Sequence, residues 1–79
     1  MTPTNFESWE NVKNLLQSVI NILNEDLPVE DKVALQTFVD NNEFGVAFDW
    51  IEGVIEEDSL ILDSKTSKIM EDIRRIIST

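Results

Sequence analysis

The chain has 79 residues and a formal net charge of -10 at pH 7, so it forms a single domain, and long-range repulsion excludes bare nucleic acid and anionic membranes as ligands. It contains no cysteine and no histidine, which excludes disulfides, thiol nucleophiles, the usual zinc sites and the commonest general base near neutral pH. The natural partner of such a chain is a basic protein surface.

The N-terminal sequence MTPTNFESWE lacks the basic start and the apolar run of a signal peptide. No stretch approaches the roughly 20 apolar residues of a membrane span. We therefore expect a cytoplasmic location for this chain.

The first predicted helix begins near residue 4 and ends within residues 24–27. Thr4 with Glu7 three positions later fits a capping box, although Thr2-Pro3 would open the helix one turn earlier. The apolar residues occupy one wide arc, which is typical of a helix packed on two neighbours. They are Trp9, Val12, Leu15, Leu16, Val19, Ile20, Ile22 and Leu23. On this pattern Trp9 belongs to the core.

A weaker second helix is predicted over Val29–Val39, with Pro28 suited to its first turn. One face of this helix is apolar and leaves Val33 outside it. The face consists of Ala34, Leu35, Phe38 and Val39. Asp40–Asn42 is typical of a turn, so the second and third helices are expected to form a tight hairpin or a bent pair.

The central helix is predicted within Asn42–Asp58, where Asn41 or Asn42 would cap its first turn. Its apolar stripe has the best helical periodicity in the chain. The stripe consists of Phe44, Ala47, Phe48, Ile51, Val54 and Ile55. Trp50 lies outside this stripe, so another element covers it or it is left partly exposed.

Two features of the central helix do not serve its own stability. Glu56, Glu57 and Asp58 crowd the C-terminal end, where the helix dipole disfavours carboxylates. Gly45 and Gly53 cost about 1 kcal/mol each relative to alanine in a helix interior. These glycines suggest close approach of another group, with a helix bend as the alternative.

Residues 59–62 are expected to form a linker, with an edge strand as the alternative. A fourth helix follows, which Asp63 or Ser64 caps. Arg74 and Arg75 would complement the dipole at the C-terminal end of this helix. Its narrow apolar stripe consists of Ile69, Met70, Ile73, Ile76 and Ile77. The sequence therefore predicts one all-α domain over residues 1–79, a small compact bundle of about four helices.

Acidic residues are concentrated in the middle of the chain, since residues 33–64 contain neither lysine nor arginine. A face of one sign on a central helix steers an oppositely charged partner and raises the association rate. We expect such a partner to bind a set of acidic residues together with the partly exposed tryptophan. The set consists of Asp49, Trp50, Glu52, Glu56, Glu57 and Asp58.

Catalysis and metal binding are disfavoured for these carboxylates. Asp49, Glu52 and Glu56 share one helix face, but a glycosidase-type pair requires two carboxyls held across a cleft, and nothing in the sequence builds one. The acidic spacing also does not match a calcium-binding loop. We expect no enzyme activity, no cofactor and no metal.

The triplet Asp58-Ser59-Leu60 reproduces the motif that carries the phosphopantetheine arm in acyl carrier proteins. Size, acidity and helix number also resemble that family. However, the serine of carrier proteins opens the second helix near the middle of the chain, whereas Ser59 comes late and is followed by LILDSKTSK. A loop serine is the favoured interpretation.

The segment Asn42–Ile51, with its Asn-rich turn, aromatic residue, glycine, small aliphatic residue and alanine, resembles the MafI family of immunity proteins. The resemblance extends more weakly through residues 59–62 to the isoleucine-rich last helix. Val46, where leucine is expected, and Gly53 depart from the family pattern. The resemblance implies a small acidic helical antidote that binds one cognate bacterial toxin domain, often a basic nuclease of a polymorphic or contact-dependent inhibition system.

Three functions therefore compete. The first is neutralisation of a cognate toxin in a 1:1 complex by a monomer, with a homodimer possible in the unbound state. The second is a nucleic-acid mimic that inhibits a DNA- or RNA-binding protein, and the third is an acyl carrier.

Overall fold

Four α-helices form the part of the chain that the computed structural model describes, residues 5–78, with side chains from Trp9 onward. The helices are α1 (Asn5–Ile22), α2 (Val29–Asp40), α3 (Phe44–Glu57) and α4 (Ser64–Ser78). No strand occurs within residues 5–78, and the predicted linker at residues 59–62 is irregular. The predicted all-α bundle is confirmed, while both alternatives for the start of α1, Thr2-Pro3 and the Thr4 capping box, lie outside the described residues and side chains.

The core forms around α1, which packs on each of the other three helices and most extensively on α4. Along the rest of the chain α2 packs on α3, and α3 packs on α4. Every helix contributes apolar side chains to the core, because each has a stripe of such residues that burial removes from water. The fully buried apolar side chains are Val12, Leu16, Val19, Leu35, Val39, Ala47, Ile51 and Ile73.

The predicted stripe of α3 is confirmed, since Phe44, Ala47, Phe48, Ile51 and Val54 are buried and the sixth member is partly buried. No group of the described fold approaches the two glycines closely. A Cβ atom built on either glycine has no other heavy atom within 4 Å. The physical reason is that both glycines lie on the side of α3 that faces away from the core.

The helix α3 begins one residue later than a cap by Asn42 requires. Asn41 still completes α2, with its N–H directed at the carbonyls of Thr37 and Val39. Asn42 then reverses the chain with a φ of 61°. The N-cap residue of α3 is therefore Glu43, and its side chain makes no capping hydrogen bond. The prediction that Asn41 or Asn42 caps α3 is wrong.

Trp9 is not the core residue that the pattern predicted, because 44% of it is exposed. Its indole stacks on the ring of Phe44, with 5.6 Å between the ring centroids. Phe44, with which it stacks, is the first residue of α3. One face of the indole is therefore covered and the other borders an open groove.

A pair of glutamine side chains fixes α1 against α2. Gln17 Nε2 donates to Gln36 Oε1 at 3.0 Å, and Gln36 Nε2 donates to Gln17 Oε1 at 2.8 Å. Each amide also donates within its own helix, to Asn21 and to Asp40. Because the pair is half-buried, these hydrogen bonds make this face of α1 and α2 polar without leaving unsatisfied groups.

Asp63 caps α4, as one of the two predicted alternatives states. The backbone N–H of Thr66 donates to Asp63 Oδ1 at 2.7 Å, and Thr66 itself is buried. Hydrogen bonds from the backbone N–H and from the side chain of Thr66 hold the pKa of the Asp63 carboxyl below its ordinary value, and the charge of Lys65 acts in the same direction. The α3–α4 connection is thereby anchored at its end.

None of the helices within residues 5–78 combines the length and the apolar character needed to cross a membrane.

Candidate functional site

The acidic residues of α3 lie on the side of the helix that faces away from the core. Asp49 and Glu56 are exposed near the middle of this side. Trp50 and Glu52 are two positions apart and therefore project about 160° apart around the helix axis. We call this exposed side, from Trp50 across to Glu52, the outer face of α3.

Trp50 packs against α2 along one edge of the outer face. Its Nε1–H donates to Asp31 Oδ1 at 3.1 Å, and its ring lies 5.4 Å from that of Phe38, centroid to centroid. The indole remains 41% exposed. Both alternatives stated for Trp50 thus hold in part, since α2 covers one side of the ring and solvent reaches the other.

A small cleft opens beside the exposed side of this indole. It has a volume of about 250 Å³. Its walls come from α2 and α3 and consist of Asp31, Trp50, Gly53, Val54 and Glu57. We call it the Trp50 cleft. Among the residues that the structure describes, neither Asp31 nor Glu57 has a lysine or arginine within ion-pairing distance.

The opposite edge of the outer face is already neutralised in part by α4. The guanidinium of Arg74 forms an ion pair with the carboxylate of Glu52. The same guanidinium lies over the ring of Phe48, 5.6 Å from its centroid. Arg74 therefore binds to α3, whereas Arg75 is the basic residue in the last turn of α4, where a cation complements the helix dipole.

No local pattern in the sequence indicates this ion pair, because Arg74 follows Glu52 by 22 positions. The contact depends on the packing of α4 alongside α3, which sequence periodicity does not specify. Of the four other acids predicted with Glu52, Glu56 lines the open groove beside Arg74. Asp58 follows the last turn of α3, and its N–H is directed at the carbonyls of Val54 and Glu56. Five of the six predicted residues therefore lie on α3, and Asp58 directly follows it. Trp50 and Glu57 lie toward α2, Glu52 is paired with α4, and Asp49 and Glu56 lie between these two edges.

Ser59 does not occupy the position of a carrier-protein serine. It is exposed in the connection after α3, with a φ of 52°. The next helix begins only at Ser64. The described structure thus agrees with the interpretation of Ser59 as a loop residue.

A wider groove lies between α1 and the start of α3, and sequence reasoning missed it. Its volume is about 720 Å³. Trp9 and Val46 are its exposed apolar residues, with Phe44 below them. The sequence feature that could have indicated this groove is Val46, an apolar residue that falls outside the apolar stripe of α3. Its other lining residues are Glu10, Lys13, Asn42, Glu43 and Gly45.

No family model, no curated protein and no solved structure matches this chain. In the described part of the chain, no group of three or more acidic side chains is placed to hold a metal ion. The fold and this surface define a small all-α bundle with a mainly acidic outer face on its third helix.

Proposed function

We propose that the chain is an immunity protein that binds and neutralises a cognate toxin domain through the outer face of α3. The observation that carries this proposal is Trp50, a large apolar side chain held half-exposed among acidic groups. Asp31 fixes its indole nitrogen, and Asp49 and Glu57 flank it on the same helix. Such a combination suits a basic protein partner better than solvent.

The two kinds of residue would serve different steps of binding. The excess negative charge attracts a basic domain over a distance and raises the association rate. A desolvated aromatic side chain at the centre of an interface then slows dissociation. Fast capture with slow release is the behaviour that protects a cell from a toxic nuclease. This mechanism needs no cofactor, no metal and no catalytic group.

The resemblance of Asn42–Ile51 to the MafI family supports the same class of function. It implies a toxin domain encoded beside this chain and a 1:1 complex formed in the cytoplasm. The conformation of this segment provides the exposed aspartate and tryptophan of the outer face. The proposed contact residues are Asp49, Trp50, Glu52, Glu56, Glu57 and Asp58.

The test is protection of cells that express the toxin domain encoded next to this gene, together with the affinity of the purified complex. We expect Glu56→Lys with Glu57→Lys to weaken binding by about 10-fold or more, because both charges reverse on the outer face. The matched control is Glu25→Lys with Asp26→Lys, two exposed residues of the α1–α2 turn. Glu52 is left unchanged because its reversal would also break the ion pair with Arg74.

Equal loss of affinity in both double variants would show that only net charge matters, and it would remove the outer face from the interface. Binding of the wild type to several unrelated basic proteins at physiological salt would favour the alternative function, a nucleic-acid mimic. Selective binding of one toxin domain contradicts that alternative.

A further inference from the structure

The Trp50 cleft is too small for most ligands other than a single side chain. Its volume of about 250 Å³ lies below the range of about 300–1,000 Å³ that is usual for small-molecule pockets. One wall is the exposed side of the Trp50 indole, and the flanking groups are the carboxylates of Asp31 and Glu57. A long, flat, positively charged side chain matches this shape and charge.

Two walls of the cleft, the Trp50 indole and the Asp31 carboxylate, are held in place before any partner binds. Phe38 packs on the indole of Trp50, and Asp31 accepts the hydrogen bond from its Nε1–H. That bond uses one oxygen of Asp31, and a carboxylate accepts several hydrogen bonds. Both carboxylates therefore retain acceptor capacity toward a cation that enters between them. Preorganised walls reduce the entropy that binding costs.

The chain itself shows how such a cation binds to α3. At the opposite edge of this helix, Arg74 places its guanidinium over the ring of Phe48 and pairs with Glu52. An aromatic ring beside a carboxylate is thus already occupied by arginine at one edge. The other edge has the same chemistry, an aromatic ring beside two carboxylates, with no cation from the described chain.

We infer that the Trp50 cleft receives an arginine side chain of the protein partner, with its guanidinium stacked on the indole and bonded to Asp31 and Glu57. This inference rests on the proposed function, since it names the group by which the basic partner is recognised. Arginine fits better than lysine, because a planar guanidinium stacks on an aromatic face and offers five donors to carboxylates, whereas an ammonium is a compact, strongly hydrated charge.

The direct test is a titration of the ¹⁵N-labelled protein with N-acetyl-arginine methylamide at constant ionic strength, followed by NMR. We expect the indole N–H signal of Trp50 to shift and saturate. Trp9 provides the internal control, because its indole borders the other groove. The corresponding lysine compound should bind at least about 3-fold more weakly, and the uncharged citrulline compound should leave the Trp50 signal in place.

Two pairs of variants separate the cleft from general charge. Asp31→Asn with Glu57→Gln keeps the shape of the cleft and should weaken arginine binding about 10-fold. Glu25→Gln with Asp26→Asn makes the same change in net charge on the exposed α1–α2 turn and should not weaken it. Gly53→Ala adds a methyl group to the cleft wall and should weaken binding, whereas Gly45→Ala adds one elsewhere on α3. Thermal unfolding confirms that each variant is folded.

Equal shifts with the arginine and citrulline compounds, or equal weakening in both double variants, would overturn the inference. The titration contains no toxin, so its result does not depend on the proposed function. In the toxin assay, full affinity of the Asp31→Asn, Glu57→Gln variant would also overturn the inference while leaving the proposed function intact. Failure of the wild type to bind the toxin overturns the proposed function, and the titration still decides whether the cleft prefers arginine.

Discussion

Ser59 has a left-handed backbone conformation, with a φ of 52°, at the exposed end of α3. A residue with a Cβ atom pays about 1–2 kcal/mol for this conformation, and glycine does not. We therefore expect Ser59→Gly to stabilise the protein by about 0.5–1 kcal/mol after its greater unfolded-state entropy is included. Urea unfolding followed by circular dichroism measures this change.

The matched variant is Ser59→Val, whose β-branched side chain is strongly disfavoured at positive φ. It should lower the free energy of unfolding relative to the wild type. Equal stability of the glycine and valine variants would contradict the left-handed conformation of this residue.

The cap at Asp63 makes the stability of α4 depend on pH. Its pKa is lowered in the folded state by the hydrogen bonds from Thr66. The ionised carboxylate therefore stabilises the fold at pH values above the unfolded-state pKa of about 3.9. This stabilisation is lost as the pH falls through the lower folded-state pKa.

We expect Asp63→Ala to have a lower melting temperature than the wild type at pH 7, because Thr66 loses its capping partner. The difference between the two proteins should shrink below about pH 4. Melting curves between pH 7 and pH 2.5 provide the measurement, with exposed Asp49→Ala as the control. A difference that stays constant over this range would contradict the assigned cap.

At the scale of single residues, sequence periodicity identified which side chains lie outside an apolar stripe but not what covers them. Trp50 and Trp9 are exposed to similar extents, yet only Trp50 was predicted to lie partly outside the core. The covering groups differ, with Phe38 and Asp31 beside one indole and Phe44 beside the other. These contacts depend on how neighbouring helices are placed, and no local pattern encodes that placement.

At the scale of an element, α3 has glycine at two positions where alanine would give a more stable helix. Gly45 and Gly53 lie in a helix with open space where a Cβ atom would project. We expect Gly45→Ala and Gly53→Ala each to raise the free energy of unfolding by about 0.5–1 kcal/mol, because alanine loses less conformational entropy in a helix. Chemical denaturation of the two single variants and the double variant tests this expectation.

The two substitutions should add within about 0.5 kcal/mol, because the glycines are two turns apart and share no side-chain neighbour. A loss of stability in either variant would show that a Cβ atom is not tolerated on the outer face. If both variants are more stable but only Gly53→Ala weakens partner binding, the absence of a side chain at Gly53 serves binding in the Trp50 cleft.

Helices were predictable to within a few residues, because their apolar stripes are strongly periodic. Their ends were less so. In the three-residue connection between α2 and α3, Asn41 ends α2 and Asn42 reverses the chain. Asparagine is also a preferred N-cap residue, so the sequence alone suggested that one of the two caps α3. At Asp63 the same kind of residue does cap its helix, so residue type alone did not distinguish these two turns.

At the scale of the whole molecule, the net charge of -10 opposes the compact state through self-repulsion. Screening by salt reduces this repulsion over distances beyond a Debye length of about 8–10 Å. We expect the melting temperature to rise by about 4–8 °C between 10 and 150 mM sodium chloride, which corresponds to about 1 kcal/mol in a domain of this size.

Potassium chloride should give the same rise, because screening does not depend on the identity of the cation. A decrease with salt would instead show that attractive ion pairs, such as that between Arg74 and Glu52, dominate the electrostatic free energy. The same titration should slow association with a basic partner.

The uneven distribution of charge along the chain was visible in the sequence, but its arrangement in space was not. Four of the six basic residues, Lys65, Lys68, Arg74 and Arg75, lie in α4. This helix packs on α1 and α3 and not on α2. As a result α4 supplies a cation to one edge of α3 and none to the edge beside α2, which is why the Trp50 cleft keeps its negative charge.

The extensive packing of α1 on α4 also affects how the protein is made. During synthesis on the ribosome, the apolar stripe of α1 emerges early and its largest partner surface emerges only with Ser64–Ser78. Contacts between distant segments close late in folding, so nascent chains that stop before residue 64 keep this stripe open to other proteins. Such stalled chains should therefore be bound by chaperones, whereas chains released after α4 should not.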